Sequence, residues 1–364
     1  MKTYAAGDYR DAINRFAPFA LAQSWDNTGL LVGSPEREVT RALVALDATL
    51  TVLDEAAHQD AQLVITHHPI IFKALRSVPA HSPVYQAIRC NIAVLCAHTN
   101  LDIATSGVSD ALAGLLGLCE VQLLETTSAS LYRKVVVFVP ADSAEALYDA
   151  MTRAGAGKQG DYAGAAFLSE GEGRFTPLEG AHPTIGRVGQ LEKISEQRLE
   201  MLVAPGNLPA VLAAIKAAHP YEEPAFDVFE TQSLSERCGI GRVGRLLEPL
   251  SPAGFAAMLR EKLACPPMRC VPGKAQIERV AVCGGSGGDL LERARELGAQ
   301  ALVTADLKHS QLLAAQELGM TLIDAGHYAT EAVVLPILIE KLKDALPGAD
   351  IRRAKSCTEP ATFV

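Results

Sequence analysis

Apolar residues occur along this chain in short runs that predict buried strands, and the segments between them have the spacing of amphipathic helices. From 41 to 102 the order is RALVALDA, TVLDEAAHQDA, QLVITHH, VYQAIRCN and IAVLCAHTNLD, which predicts βαβαβ. The same order recurs from 279 to 331 as RVAVCGG, LLERARELGA, QALVTAD, SQLLAAQELG and MTLIDAGHYATE. Apolar runs joined by helices favour a parallel sheet covered on both faces. We therefore predict an internally duplicated, mainly parallel α/β core.

The middle of the chain has a different pattern. From about Ser128 to Ser235 the runs RKVVVFVP, SAEALYDAMTRAGA, AGAAFLSEGEG, RLEMLVAP, LPAVLAAIKAAH and AFDVFE predict the order βαββαβ, which is typical of a ferredoxin-like domain. The polar segment TQSLSER then indicates a linker. We expect a discontinuous α/β domain of residues 1–127 and 236–364, interrupted by an inserted ferredoxin-like α+β domain of residues 128–235.

Composition and charge narrow the function classes. Of the 364 residues, 49% are hydrophobic and 21% are charged, which is typical of a packed globular protein. The net charge of −9 provides no overall attraction to nucleic acid or anionic lipid. The N-terminus lacks a continuous apolar segment, and no later stretch has the roughly 18 consecutive apolar residues of a membrane span. We expect a cytoplasmic protein without membrane contact, whose eight scattered cysteines are buried thiols.

Two adjacent histidines end an apolar strand of the first repeat. In LVITHHPI, His67 and His68 follow the apolar run directly, and Pro69 comes next. Neighbouring side chains of a regular strand point to opposite faces, so both imidazoles can serve one centre only if the strand stops there. Pro69 favours such a stop because it cannot donate a backbone hydrogen bond. Taken alone, the pair also fits an ordinary polar strand end, whereas two neighbouring metal ions, one for each histidine, would suit the geometry.

Two further clusters lie at predicted strand ends. HTNLD contains His98 and Asp102, and GHYATE opens an apolar helix with His327 and Glu331 four residues apart on one face. A single pair of this kind also fits a contact on a helix surface. The carboxyl ends of parallel strands, however, are where α/β proteins form their sites. Together the three clusters predict a two-metal site with these ligands: His67, His68, Asp102, His327 and Glu331.

His98 and His309 are the candidate catalytic residues, because overlaying the two repeats places both near the same centre. We expect each to be a ligand or to move a proton; the alternative is a hydrogen bond that orients another ligand. The segment CGGSGGDLLERA also has two interpretations, a tight turn without a ligand or a turn whose backbone amides bind a phosphate. It lacks the spacing of the standard nucleotide-binding motifs.

The charges of the predicted site indicate its chemistry. Two divalent ions bring four positive charges and two carboxylates remove two of them, so the site should attract a small anionic ligand. A pair of such ions lowers the pKa of water toward about 7 and polarises phosphoryl or carbonyl oxygens, which favours hydrolysis. The ligand types admit Zn, Fe, Mn, Co or Ni.

Five motifs, in the order SWDNTGLLVG, VITHHPIIF, CAHTNLD, TADLKHS and GHYATE, resemble those of the Nif-three-like family, whose members are often labelled GTP cyclohydrolase I type-two homologues. The resemblance covers residues 1–127 and 236–364. The middle segment resembles the ferredoxin-like insertion of the longer bacterial members, which is related in fold to trimeric PII-type domains. The resemblance implies a homohexameric toroid, a trimer of dimers, with a dinuclear metal centre whose ligands are His67, His68, Asp102, His327 and Glu331.

The first functional hypothesis is a dinuclear-metal-dependent hydrolase acting on a small anionic, nucleotide or pterin-like substrate. One alternative is a metal-dependent binding or regulatory hexamer without turnover. Five protein ligands shared by two ions leave coordination positions open for water, which favours catalysis over this alternative. The second alternative is a nucleic-acid-binding ring, and the acidic composition counts against it.

Overall fold

The structure, a computed structural model, describes residues 2–265 and 267–362, and at 128–131 and 232–237 it describes the backbone alone. Contacts divide the chain into an outer unit, Met1–Ser128 with Cys238–Val364, and an inserted unit, Ala129–Arg237. The mixed α/β class predicted from the sequence is confirmed. Among the described residues, every helix is too short or too polar to span a bilayer.

The first part of the outer unit contains β1 (Tyr4–Ala5), α1 (Ala6–Phe16), β2 (Gly29–Val32), β3 (Glu38–Val39), β4 (Arg41–Ala45), α2 (Leu50–His58), β5 (Leu63–Thr66), α3 (Pro83–Arg89), β6 (Ala93–Cys96), α4 (Thr99–Ile103) and α5 (Val108–Leu116). The chain then continues through β7 (Cys119–Pro140), α6 (Ala144–Arg153), β8 (Ala166–Phe175), β9 (Glu192–Val203), α7 (Leu208–Ala218) and β10 (Phe226–Leu250). The last part of the outer unit contains α8 (Pro252–Leu263), β11 (Arg269–Val271), β12 (Ile277–Val282), α9 (Leu291–Glu296), β13 (Ala301–Thr304), α10 (His309–Leu318), β14 (Thr321–Asp324), α11 (His327–Glu331), α12 (Val334–Ala345) and β15 (Asp350–Arg353).

The first repeat forms the centre of a five-stranded sheet with the order β15-β4-β5-β6-β2. The four strands from β15 to β6 are parallel, and β2 is antiparallel to β6. All residues of β5 and β6 are buried, as expected for a strand covered on both faces. The helix between β4 and β5 starts where the Thr49 side chain accepts a hydrogen bond from the Val52 amide, which is a typical N-cap.

The second repeat lies in a different sheet of the outer unit, with the order β11-β14-β13-β12-β10-β7. β12, β13 and β14 are parallel, and the antiparallel strands β10 and β11 flank them. The apolar runs predicted one mainly parallel sheet, whereas each repeat has its own. Because β15 and β2 cover the edges of the first repeat and β10 and β11 those of the second, neither repeat offers the other a free edge.

The inserted unit has the element order β7, α6, β8, β9, α7, β10, with its strands arranged as β10-β7-β9-β8. β9 is antiparallel to both β7 and β8. Its core is formed by apolar side chains of the strands and of the two helices, including Val137, Leu147, Leu199 and Ile215.

Candidate metal centre

The two adjacent histidines lie where β5 ends. β5 stops at Thr66, and the backbone amide of His68 donates to the Leu46 carbonyl at 2.8 Å, so the chain remains beside the end of β4. The rings of His67 and His68 are neighbours, with centroids 5.1 Å apart and planes tilted by 45°. Both imidazoles reach the carboxylate of Glu331. The strand end that the sequence required for a shared centre is therefore present.

Two five-residue helices carry the other predicted ligands. α4 follows β6 and contains Asp102, whose Oδ1 lies 3.5 Å from His67 Nε2. α11 follows β14 and contains His327 and Glu331 one turn apart, with His327 Nε2 3.1 Å from Glu331 Oε2. The sequence predicted one apolar helix starting at His327, but the structure has two, because α12 begins only at Val334.

Glu331 is the central residue of the cluster and is only 4% exposed. Its Oε2 lies 2.9 Å from His68 Nε2 and 3.1 Å from His327 Nε2. Its Oε1 lies 3.7 Å from His67 Nε2. One oxygen of the carboxylate thus faces two imidazoles and the other oxygen faces a third. A carboxylate in this arrangement can bridge two cations.

Four histidine rings of the cluster use Nδ1 for a hydrogen bond to an oxygen: those of His67, His68, His98 and His327. The acceptors lie 2.7 to 2.9 Å away and are the Ala97 carbonyl for His67, Asp47 for His68, Asp26 for His98 and Asp306 for His327. Carbonyl and carboxylate oxygens only accept, so the ring proton resides on Nδ1 and the neutral ring keeps a lone pair on Nε2. This is the orientation that metal-binding histidines adopt.

The Nε2 atoms and the carboxylate oxygens converge, but hydrogen bonds satisfy only some of them. His68 Nε2 lies 3.2 Å from His327 Nε2, and both are close to Glu331 Oε2. Despite these short distances, Glu331 Oε2 and the fully buried His67 Nε2 have no hydrogen bond of acceptable geometry. Converging lone pairs repel unless a positive charge lies between them, and burial makes that repulsion costly. The donor set therefore fits a divalent metal of the kind bound by imidazole and carboxylate.

The pKa values of His68 and His327 also indicate that the cluster favours positive charge. Burial lowers the pKa of His68, but the hydrogen bond with Asp47 and the nearby carboxylate of Glu331 outweigh it and raise the pKa to about 10. The contact with Glu331, opposed by burial and supported by Asp306, raises the pKa of His327 to about 9. Without a metal, protons on these imidazoles would therefore supply the charge that a cation would supply.

The two carboxylates of the cluster differ in their electrostatic environment. Burial opposes ionisation of Glu331, but the charge of His67 and the contacts with His327 and His68 hold its pKa well below the usual range. Burial raises the pKa of Asp102 to about 6, and His67 only partly opposes this effect. Glu331 is thus the firmly ionised member of the pair.

Two sets of three side chains in the described part of the chain have ligand atoms within 4.8 Å of one another. One set contains His67, His68 and His98, and the other contains His68, His327 and Glu331. These sets could each hold a metal ion, and His68 belongs to both. Asp102 lies outside both sets but adjoins the first through His67.

His98 and His309 occupy different environments. The ring of His98 lies 5.3 Å from the ring of His67 and 5.6 Å from that of His68, and burial lowers its pKa, so it is neutral near pH 7. His309 is the exposed first residue of α10, and no contact between it and the cluster occurs among the described residues. The structure therefore brings only His98 of this pair to the cluster.

Sequence reasoning missed the residues that orient the imidazoles. Asp47 follows β4 and Asp306 follows β13, so the strand-end position that singled out the predicted ligands also marks these two carboxylates. Asp26 belongs to the SWDN motif, to which the sequence assigned no role. It accepts hydrogen bonds from His98 and from the amide and hydroxyl of Thr99, and these contacts connect residues far apart along the chain.

The glycine-rich segment after β12 forms a tight turn against the cluster. Gly285 has φ of +60°, and a Cβ atom there would lie 2.2 Å from Glu331 Oε1. The Gly285 amide donates to the Thr330 hydroxyl at 3.0 Å. A left-handed conformation and the close approach of a carboxylate both favour glycine. The turn thus leaves room for the Glu331 carboxylate because position 285 has no side chain.

Comparisons with known proteins give matches that extend over nearly the whole chain. A family model described as Duf34/NIF3 (NGG1p interacting factor 3) matches residues 5–360. A protein named GTP cyclohydrolase 1 type 2 homolog from Halalkalibacterium halodurans is 37% identical over 359 residues, 96% of each chain. One of the same name from Mycobacterium bovis is 39% identical over 369 residues, 97% of this chain and 95% of the relative. The crystal structure of a Bacillus cereus protein related to NIF3 has a TM-score of 0.82 at 34% identity, and the match covers 100% of both chains.

Proposed function

This chain belongs to the Duf34/NIF3 family, as its five motifs predicted, and on that premise we propose that it is a dinuclear-metal-dependent hydrolase of a small anionic, nucleotide or pterin-like substrate. The observation that carries the proposal is the convergence of imidazole Nε2 atoms on Glu331, with buried His67 Nε2 and Glu331 Oε2 lacking hydrogen bonds. Metal ions bound there would lower the pKa of water and polarise a phosphoryl or carbonyl oxygen.

The division of the Glu331 oxygens supports a division of ligands between two sites. In this proposal His68, His327 and Glu331 would hold one ion, and His67, Asp102 and Glu331 would hold the second. Two divalent ions and two carboxylates leave a positive site, which attracts the anionic group of the substrate. Because each ion has few protein ligands, coordination positions remain open for water and substrate.

His98 is the proposed proton carrier. Its Nδ1 donates to Asp26, which fixes the ring, and its lowered pKa keeps the ring neutral and able to accept a proton near pH 7. The His98 ring is next to those of His67 and His68, so a proton released at the proposed metal centre would reach His98 over a short distance. His309 is the second candidate for this role, and it would have to act from its exposed position at the start of α10.

We test the proposal by measuring metal content per chain in protein purified without oxygen, and turnover on a panel of nucleotides, pterins and phosphoesters. Wild type should hold about two ions and hydrolyse at least one substrate class. Asp102→Ala should lose metal and turnover together. Asp344→Ala, an exposed position on α12, is the matched control and should retain both.

Two outcomes would contradict this assignment. Two ions per chain without turnover on any compound would replace the hydrolase with a metal-dependent binding or regulatory protein. An active Asp102→Ala variant without metal would exclude metal from the mechanism.

The architecture beyond the site is also proposed. The inserted unit is a ferredoxin-like domain, supported by the order βαββαβ and by strands that lie fourth, first, third, second across its sheet. The two βαβαβ runs are copies of one ancestral unit, and the chain assembles as a homohexamer. Light scattering on the full chain should give six times the mass of one chain; a monomer or dimer would contradict the ring.

A further inference from the structure

Trp25, the only tryptophan of the chain, is 59% exposed, although the two residues after it form hydrogen bonds with other segments of the protein. Asp26 accepts hydrogen bonds from His98 and Thr99. Asn27 Nδ2 donates to the Ile71 carbonyl at 2.6 Å. The backbone that carries Trp25 is therefore firmly placed, while its large apolar ring is left facing solvent.

Phe72 lies on a long irregular segment beside Trp25. Residues 67–82, between β5 and α3, contain no helix or strand. Segments longer than about 12 to 15 residues without secondary structure are uncommon in compact domains and are usually functional. The hydrogen bond from Asn27 to Ile71 holds the start of this segment against the SWDN motif, and the Phe72 side chain that follows is 48% exposed.

The two aromatic rings adjoin the metal centre through His98. The Trp25 ring centroid lies 6.3 Å and that of Phe72 6.4 Å from that of His98, both in edge contacts, and the two aromatic centroids are 6.0 Å apart. Both rings are in edge-to-face contacts, with each other and with His98, and both remain about half exposed. An exposed aromatic pair at the border of a polar site offers a π surface at a fixed distance from the proposed metal centre.

We propose that Trp25 and Phe72 form a stacking subsite for the planar heterocycle of a nucleotide or pterin-like substrate whose anionic group occupies the metal centre. This inference rests on the proposed function and names the part of the substrate that gives it specificity. Aromatic side chains bind bases by stacking without sequence preference, because every base presents a π face. The segment of Phe72 also carries Lys73 and Arg76, both exposed, which add positive charge for a phosphate.

The single tryptophan makes the subsite directly measurable, since all indole fluorescence comes from Trp25. The full-length protein is excited at the long-wavelength edge of indole absorption and titrated with guanosine monophosphate. Ribose phosphate is the matched ligand without a heterocycle. Guanosine monophosphate should quench the emission saturably, whereas ribose phosphate should compete for binding without quenching.

Two phenylalanine variants separate stacking from general effects. Phe72→Leu should raise the Kd of guanosine monophosphate about tenfold, the loss expected from one stacking contact. Phe229→Leu removes a phenylalanine of similar exposure, 51%, in the inserted unit and should leave the Kd unchanged. Light scattering on each variant tests whether the substitution alters assembly.

The possible outcomes distinguish this inference from the proposed function. Absence of saturable quenching, with hydrolysis of simple phosphoesters retained, would overturn the stacking subsite and leave the hydrolase. Saturable quenching without turnover would support the subsite and remove the hydrolase. An unchanged Kd in Phe72→Leu together with a smaller assembly would assign the aromatic pair to a contact between copies of this chain and overturn the subsite.

Discussion

The two halves of the outer unit place different side chains at equivalent strand ends. The parallel registers align Ala42 with Leu63 in the first half and Val280 with Ala301 in the second. When β5 (Leu63–Thr66) is aligned with β13 (Ala301–Thr304), position 47 corresponds to 285 and position 68 to 306. In the first half these positions hold the carboxylate of Asp47 and the imidazole of His68. In the second half the corresponding positions hold Gly285 and Asp306.

The difference shows how one backbone pattern can place different residues in a candidate metal site. His68 is a proposed ligand and is oriented by Asp47 from its own half. At the corresponding position Asp306 supplies no ligand atom among the described contacts but orients His327. Asp306 has φ of +54°, a left-handed conformation that Asp and Asn tolerate better than most residues. Carboxylates thus hold the imidazoles from both halves, and Glu331 joins them.

The largest effect is expected for Glu331→Gln, because this carboxylate contacts histidines of both halves. Metal affinity should fall by more than about 100-fold, beyond the usual cost of losing an orienting residue. Asp102→Asn should cost less, since Asp102 approaches only the first half, through His67. Metal content after dialysis measures both, with the exposed α12 variant Glu340→Gln as control. Equal losses in Glu331→Gln and Asp102→Asn would mean that Glu331 is not the shared ligand.

Next in size is the loss of an orienting carboxylate. Asp306→Asn and Asp47→Asn should each lower metal affinity by about 10- to 100-fold, because each replaces the charged acceptor of one histidine Nδ1 by a neutral amide. Asparagine also tolerates the left-handed backbone of position 306, so the fold should be retained. Competition with a chelator of known affinity measures the change. If only one of the two variants loses affinity, the halves do not hold their imidazoles in the same way.

A smaller effect is expected for Gly285→Ala. The new Cβ would meet Glu331 Oε1 and would occupy a left-handed conformation, which costs about 1 to 2 kcal/mol. Unfolding of the metal-free protein in urea measures the stability, and Gly319→Ala, also left-handed but in open space, isolates the backbone cost. A Gly285→Ala variant that binds metal normally and is as stable as Gly319→Ala would show that the turn does not position Glu331.

The last prediction concerns pH and the metal-free fold. The pKa values of His68 and His327 are raised to about 10 and about 9, above the usual value of about 6.5. Protonation therefore stabilises the metal-free fold fully below about pH 6.5, and this contribution is lost as the pH rises through about 9 and 10. Urea midpoints at several pH values measure it. His327→Asn should flatten the curve near pH 9, while the exposed His309→Asn should not; identical curves would contradict the raised pKa of His327.

Much of this architecture was predictable because apolar periodicity is a local property. The runs LVIT and AVLC are buried strands, as predicted, and the residues after them lie at the strand ends. What local patterns did not reveal is the pairing of the strands. The two repeats form separate sheets because strands from distant parts of the chain, such as β15 beside β4, cover their edges.

The sequence by itself determined the family, the α/β class and the side chains available for a metal, since residue types and strand ends are written in order along the chain. Only the tertiary structure decided how those side chains are used. Asp26 meets His98 and Asp306 meets His327 across long separations, and these hydrogen bonds direct the Nε2 atoms. The exposure of Trp25 beside His98 likewise depends on folded neighbours, because solvent accessibility is a property of packing and not of residue type.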